Sequence, residues 1–433
     1  MRNKLSIALL LLSVLFINCA FAGATPPAKR YNVTQYGAVG NGTTLNTKAI
    51  QAVVDLCAKK GGGTVVIPKG VFLSGAIFLK PGVNLEIQQD GVLKGSQNIN
   101  DYPKSLTRIE GHFEPWRSAL LNGDKVDHLR ITGKGTLDGN GEPFWKLFYS
   151  RRAADRTTTN LSVERPRLTF IQNSHDVLIQ GITFYNSGFW NLHLYRNQQV
   201  TVDNCRFQAP HGAVPDDHAP SSDGIDVDSS QDITISNCFF SVGDDDIALK
   251  GSKGPFAMQD KDSPPVERIH IRDCVFEAGG GIMTCGSEAT IVRDVDIKRC
   301  TTKGPTVLRL KLRPDTPQQY ENISLDDITI DGPVTILSIA PWTQYFDLKG
   351  QEPPKSLVRN ISITNVKGTG NALGKVGGNP GTTFGGITLK NFNVSLKNPD
   401  YDLARFKETT LESVLINGTT IATATPVAAP VKQ

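Results

Sequence analysis

Nine short segments of this 433-residue chain share one pattern, polar-polar-apolar-polar-apolar. Aligned on the first apolar position they fall at Leu129, Val177, Val200, Ile233, Ile269, Val295, Ile323, Ile361 and Ile387, in steps of 23 to 48 residues. Strict alternation describes a strand with one buried face. Several copies continue into a small or polar pair and then an aromatic residue: Gly181-Ile182-Thr183-Phe184, Asn204-Cys205-Arg206-Phe207, Asn237-Cys238-Phe239-Phe240 and Asp273-Cys274-Val275-Phe276. A base period in the low-to-mid twenties, lengthened by insertions, is the mark of a solenoid with one coil per repeat. The expected fold is all-β, a right-handed parallel β-helix with two or three short strands per coil. A leucine-rich horseshoe does not fit, since leucines are sparse and no helical segment recurs.

The start of the chain reads differently. Arg2 and Lys4 precede an apolar run from Leu5 to Ile17 and a small-residue site, Ala20-Phe21-Ala22. That is the layout of a signal peptide spanning residues 1–22, too short to cross a membrane as a span. After Tyr31–Gly42, a short strand and glycine turn, Ile50, Val53, Val54 and Cys57 recur at helical spacing. They predict a capping helix over Lys48–Lys60, with Asn46 or Thr47 as its N-cap. Strands follow at Thr64–Ile67, Val71–Leu73, Ala76–Leu79, Asn84–Ile87 and Val92–Lys94. The organisation expected is a single catalytic β-helix domain over 23–418 and a loosely held tail over 419–433, in a secreted, monomeric protein.

The mature chain keeps Cys57, Cys205, Cys238, Cys274, Cys285 and Cys300. Export permits disulfides. However, Cys205, Cys238, Cys274 and, more loosely, Cys300 hold the same place in successive copies, which favours an internal stack of small apolar thiols. No cysteine or histidine cluster has zinc spacing. The net charge of +4 falls by the two charges of Arg2 and Lys4 on cleavage, and no basic run is interleaved with aromatics. Nucleic acid and membrane are therefore not the expected partners.

The stretch Ser221–Gly251 concentrates aspartate where strands should be, in Ser222-Asp223-Gly224-Ile225-Asp226 and Gly243-Asp244-Asp245-Asp246. Aspartate is depleted in strands, and adjacent carboxylates repel. Carboxylates held side by side on a rigid scaffold suit acid–base chemistry; a calcium site or a solvated turn are the alternatives. The two motifs lie about one coil apart and should stack on one face. About two coils further on, Arg309 and Lys311 share one side of a strand. Acids beside a basic pair suit cleavage next to a negatively charged sugar.

In these motifs the chain resembles the polygalacturonases, glycoside hydrolase family 28. The resemblance runs from Tyr36-Gly37-Ala38-Val39-Gly40-Asn41-Gly42 through Gly135-Thr136-Leu137-Asp138-Gly139-Asn140-Gly141 to Arg309-Leu310-Lys311. The family's Asn-Thr-Asp motif appears as Ser221-Ser222-Asp223, Gly-Asp-Asp as Gly243-Asp244-Asp245, and Arg-Ile-Lys as Arg309-Leu310-Lys311. The resemblance implies an inverting hydrolysis of galacturonate linkages in pectin that needs no metal or cofactor. Asp244 is then the general acid, Asp223 and Asp245 hold and deprotonate water, and Arg309 and Lys311 grip the uronate. Tyr345 stands where the family often has a substrate-contacting tyrosine, and Asp226 and Asp246 are expected to be structural or to tune the neighbouring carboxylates.

The chain departs from the family in one place. The family's supporting histidine belongs in the stretch Gly279–Glu288, which contains none. Rhamnogalacturonan-acting relatives depart here too, so a rhamnogalacturonan-directed hydrolase is the alternative substrate class. His211 and His218, just before the first catalytic motif, are candidates to fold over the site. Insertions at Phe113–Asn122, Glu142–Glu164 and Pro341–Leu357 suit a cleft walled at one end and hence exo action. A calcium-dependent pectate lyase and a non-catalytic carbohydrate-binding β-helix are the remaining readings.

Overall fold

The computed structural model describes residues 29–210 and 218–421. The signal-peptide reading, most of the tail and His211 lie outside the described residues. Thirty-two strands form a right-handed parallel β-helix, and two more make a separate hairpin. Each full coil contributes one strand to each of three parallel sheets. The nine repeats fall on the first sheet, where Val177 lies opposite Val200, Val200 opposite Ile233 and Ile233 opposite Ile269.

The doubled polar position of the repeat has a backbone cause. Its second residue (His128, Asp176, Gln199, Asp232, Arg268, Asp294, Asn322 and Asn360) lies in the left-handed region at φ 54–61°. One left-handed residue breaks the ladder and turns the chain into the next strand, which is the work of a bulge. Short polar side chains tolerate that conformation best and predominate there.

The interior is a set of stacks. Phe184, Phe207, Phe240 and Phe276 lie face to face on the second sheet, with centroids 4.6, 5.0 and 4.9 Å apart. Beside them Cys205, Cys238, Cys274 and Cys300 are buried free thiols, as the repeat predicts. Helix α1, Thr47–Lys59, covers the N-terminal coil with Ile50, Val53, Val54 and Cys57 turned inward. Asn46 holds the N-cap position, but its amide is turned to Val39, Thr44 and Leu73 and makes no cap bond. At the other end Thr419–Thr420 pairs antiparallel with Leu415–Ile416, so ordered structure runs past the expected boundary at 418. No helix among the described residues is long and apolar enough to cross a membrane.

Two elements inside the insertions were not expected. Helix α2 spans Glu142–Ala154, with Pro143 in its first turn. The hairpin pairs Lys104–Ile109 with His112–Arg117 through Glu110-Gly111, both at positive φ. That is the signature of a two-residue primed turn, and glycine at its second position makes it inexpensive.

Candidate active site

The third sheet carries the site on its outer face. Its strands Ile225–Asp228, Ile247–Lys250, Met283–Cys285 and Thr306–Leu312 stack in order, with Asp226, Ala248, Thr284 and Arg309 in register. Alternation sends Ile225, Val227, Ile247, Leu249, Cys285 and Leu310 into the core. Asp226, Asp228, Lys250, Thr284, Arg309 and Lys311 therefore fall on the opposite face. Asp223 and Asp244–Asp246 sit just before their strands, where backbone bonds from Gly224 N to Asp245 O and from Ile225 N to Asp246 O hold the two motifs together.

Asp223, Asp244 and Asp245 converge as the motifs predict. One oxygen of each lies within 4.8 Å of the others. Asp244 is the member that reaches solvent, while Asp223 and Asp245 are buried. Asp245 Oδ1 accepts from Thr284 Oγ1 at 2.8 Å and lies 3.4 Å from Arg309 Nη1; its Oδ2 accepts from Lys311 Nζ at 2.7 Å. Burial alone would raise its pKa, but Lys311, Arg309 and Lys250 outweigh burial and hold it at about 2. Asp223 moves the other way. Burial and its neighbours Asp226 and Asp244 push it well above the ordinary value. The two water-holding candidates are thus distinct, one held as an anion and the other the more readily protonated carboxyl.

Arg309 and Lys311 are both at the site, and both point their cationic ends at Asp245. Tyr345, left-handed at φ 55° and half-exposed, lines the cavity, and its carbonyl accepts from Arg313. His218 lines the same cavity, next to the loop whose Ala219 carbonyl closes on Gly243. Asp246 is fully buried, with Oδ2 accepting from Gly281 N at 3.0 Å. The glycine-rich stretch that lacks the family histidine runs directly beneath the acids. A Cβ at Gly280 would lie 2.5 Å from Asp245 Oδ1, so side-chain space at that point is already filled by the catalytic carboxylate.

Sequence reasoning missed several residues. Lys250 is wholly buried, its Nζ 3.6 Å from Asp223, 3.4 Å from Asp226 and 4.0 Å from Glu288, and it lies 4.6 Å over the Trp190 ring. Burial would lower its pKa, but Asp226, Asp223 and Glu288 raise it well above the ordinary value, so it stays a cation. Glu288 is held down to about 2 despite burial by Lys250, Lys253 and Arg313. Arg165, sandwiched 4.5 Å from both Phe148 and Phe189, donates to Pro220 O and Ser221 Oγ and so fixes the loop leading to Asp223. The only signal for Lys250 was its place two residues after Ala248 on a strand that begins at the acidic motif. Three carboxylate oxygens this close are also a cation-binding geometry, but Lys250, Arg309 and Lys311 already supply their countercharge.

A cavity of about 330 Å³ opens over these residues. The hairpin reaches it through the tip residue Glu110. Arg108 donates to both oxygens of Asp228, Nε at 3.0 Å and Nη2 at 3.4 Å, and to Ser252 Oγ at 3.1 Å. Ile109 and Trp116 pack on Phe189 and Trp190. Beneath it His193 accepts at Nδ1 from Arg167 at 2.8 Å, and burial depresses its pKa to about 4, so it is neutral there.

Comparison with known proteins agrees with this geometry. Residues 57–410 match the model of "Glycosyl hydrolases family 28". An exopolygalacturonase of Zea mays is 29% identical over 365 residues, 80% of this chain and 78% of that one. An exo-poly-alpha-D-galacturonosidase of Dickeya chrysanthemi is 26% identical over 407 residues, 82% of this chain and 65% of its own length. The crystal structure of an exopolygalacturonase from Thermotoga maritima superposes with a TM-score of 0.77 at 23% identity, covering 91% of this chain and 93% of that one, and so shares the fold. The three converging aspartates therefore stand in a chain that belongs to family 28 of the glycosyl hydrolases.

Proposed function

We propose that this protein is an exo-acting polygalacturonase that removes terminal galacturonate from the non-reducing end of pectic chains. The observation that carries exo action is the hairpin at the cavity: its tip residue Glu110 lines the cavity, and Arg108 with the packing of Ile109 and Trp116 on Phe189 and Trp190 anchors it there. The names of the relatives, exopolygalacturonases among them, support the same mode.

Asp244, the solvent-reaching carboxyl, donates its proton to the glycosidic oxygen as the C1–O bond breaks. Water held between Asp223 and Asp245 attacks C1 and passes its proton to Asp223, the stronger base. Asp245, fixed as an anion by Lys311 and Arg309, orients that water and offsets the charge developing on the sugar. Proton exchange with solvent then restores Asp244 and Asp223. Arg309, Lys311 and Tyr345 hold the uronate on the leaving side. His218, and His211 outside the described residues, are the histidines available in place of the family's absent one. The N-terminal run of residues 1–22 supports export, and a single self-contained site supports a monomer.

The 4.8 Å grouping is tighter than the ~6.5–9.5 Å of an ordinary inverting pair. It favours a second reading, in which Asp223 or Asp245 attacks C1 directly and the configuration is retained. Proton NMR of the first product from oligogalacturonides decides between them: the β-anomer supports water attack and the α-anomer supports the covalent route. The same digest tests the mode, since exo action releases one small product from the outset. Running rhamnogalacturonan oligomers in parallel tests the substrate class; activity on them alone would move the assignment to that backbone.

A further inference from the structure

The end of the cavity beneath the hairpin tip is lined by acceptors. Glu110 is the first residue of the tip, and Asn160 bonds its carboxyl. The second tip residue, Gly111, seats against Glu288 so closely that a Cβ there would lie 2.9 Å from Glu288 Cβ and 3.0 Å from Gly251 O. Two carboxylates are thereby brought to one wall. Of the cations nearest them, Lys253 lines the same cavity and Arg313 Nη1 lies 3.7 Å from Glu288 Oε1. Arg313 makes a two-point pair with Asp315 at 2.9 and 2.9 Å, and Lys250 is shared among Asp223, Asp226 and Glu288. Glu288 Oε1 accepts from Ser287 Oγ at 2.6 Å, while Oε2 lies 4.0 Å from Lys250. A sugar hydroxyl at this wall would find two carboxylate acceptors for its proton.

We infer that Glu110 and Glu288 form a reader for the free hydroxyl at the non-reducing end of the terminal sugar, so that this protein selects chain ends that carry that hydroxyl. The inference rests on the exo reading above and adds a substrate class to it. A hydrolase that breaks the C1–O4 bond leaves O4 on the downstream sugar, and water supplies its hydrogen. An eliminating lyase breaks the O4–C4 bond instead and leaves a C4=C5 double bond with no hydroxyl at C4. Ends made by hydrolysis supply a hydroxyl to the wall, and ends made by elimination lack that donor. Sites built to hydrogen-bond a substrate hydroxyl reject analogues lacking it by up to ~10⁴–10⁵-fold. Hydrolytic depolymerisation is thus the class of reaction that supplies this enzyme.

The test compares kcat/KM for saturated trigalacturonate and for the same trimer with a 4,5-unsaturated non-reducing end. We expect the saturated trimer to be preferred by at least ~100-fold in the wild type, on the low side of that range. Glu110→Ala should bring the ratio down by ~10-fold or more, and Glu110→Gln, which keeps an acceptor oxygen, should restore most of it. Glu288→Gln supplies an independent variant on the opposite side of the same wall. Equal rates on the two trimers, with a single terminal product from long chains, would overturn this inference and leave exo action standing. Products of mixed length from long chains would overturn both.

Discussion

Two arginine–aspartate pairs in this molecule make the same two-point contact in opposite surroundings. Arg299 meets Asp273 at 2.7 and 2.8 Å with side chains 51% and 37% exposed. Arg108 meets Asp228 at 3.0 and 3.4 Å with side chains 0% and 1% exposed. The first joins neighbouring coils across 26 residues, and the second spans 120 residues from the hairpin to the floor of the active site. Exposed pairs of this kind decorate the outer face of the first sheet, where water screens them and each contributes little. The buried ones belong to the third sheet, where removing one partner strands a charge. The solenoid repeats its geometry everywhere, and what turns one face into a catalytic site is the cover laid over it.

This contrast can be broken most sharply at the chemistry itself. Asp244→Asn removes the proposed acid without changing its size, and reducing-end release should fall by ~10²–10⁴-fold. Retained turnover in a folded variant would end the assignment.

Next is the hairpin anchor. Arg108→Ala should cost about 3–5 kcal/mol by leaving Asp228 unpaired, read as a lowered denaturation midpoint. Loss of the anchor should also let internal products appear beside the terminal one. An unchanged midpoint would make the buried pair no different from the exposed ones.

A subtler effect is expected at Asp226. Burial raises it to about 7 from an ordinary 3.8, in spite of Lys250. The folded state therefore binds this proton more tightly than the unfolded chain. The stability it contributes is complete below pH 3.8 and is lost as pH rises through about 7. Asp226→Asn carries no titrating group, so its Tm should fall less than the wild type's between those two values. Parallel Tm curves would show that Asp226 does not carry the buried proton.

The smallest change is predicted for Arg299→Ala, within about 0–1 kcal/mol and with full activity, checked in the same two assays.

Much of this was legible in the chain. The nine copies led to the coil and to the stacked cysteines, because a solenoid contact is made between residues one period apart; that each coil has three strands rather than two came from the structure. The three aspartates were legible for the same reason. Their motifs lie one coil apart, and strand pairing closes that interval at an offset of 22, Ile225 on Ile247. Glu110, Arg108 and Arg165 were not legible. They sit outside the repeated segments, in stretches that follow no period, and their partners Glu288, Asp228 and Ser221 are far away in sequence. Lys250 looked like an ordinary strand lysine. The spacing placed Arg309 and Lys311 on one side of a strand but did not show that both also reach Asp245.

Alternation and periodicity by themselves determined the parallel β-helix, its capped start and the face on which the acids gather, since each of these depends on local spacing alone. Only the tertiary structure decided which charges are buried and what each acid faces. A hairpin folded across the third sheet excludes water from Asp228 and Lys250, and low polarisability around a charge is a property of everything packed against it. Asp223 and Asp245, one coil apart and chemically identical, are both buried yet shift in opposite directions, since Asp223 faces Asp226 and Asp244 while Asp245 faces Lys311 and Arg309.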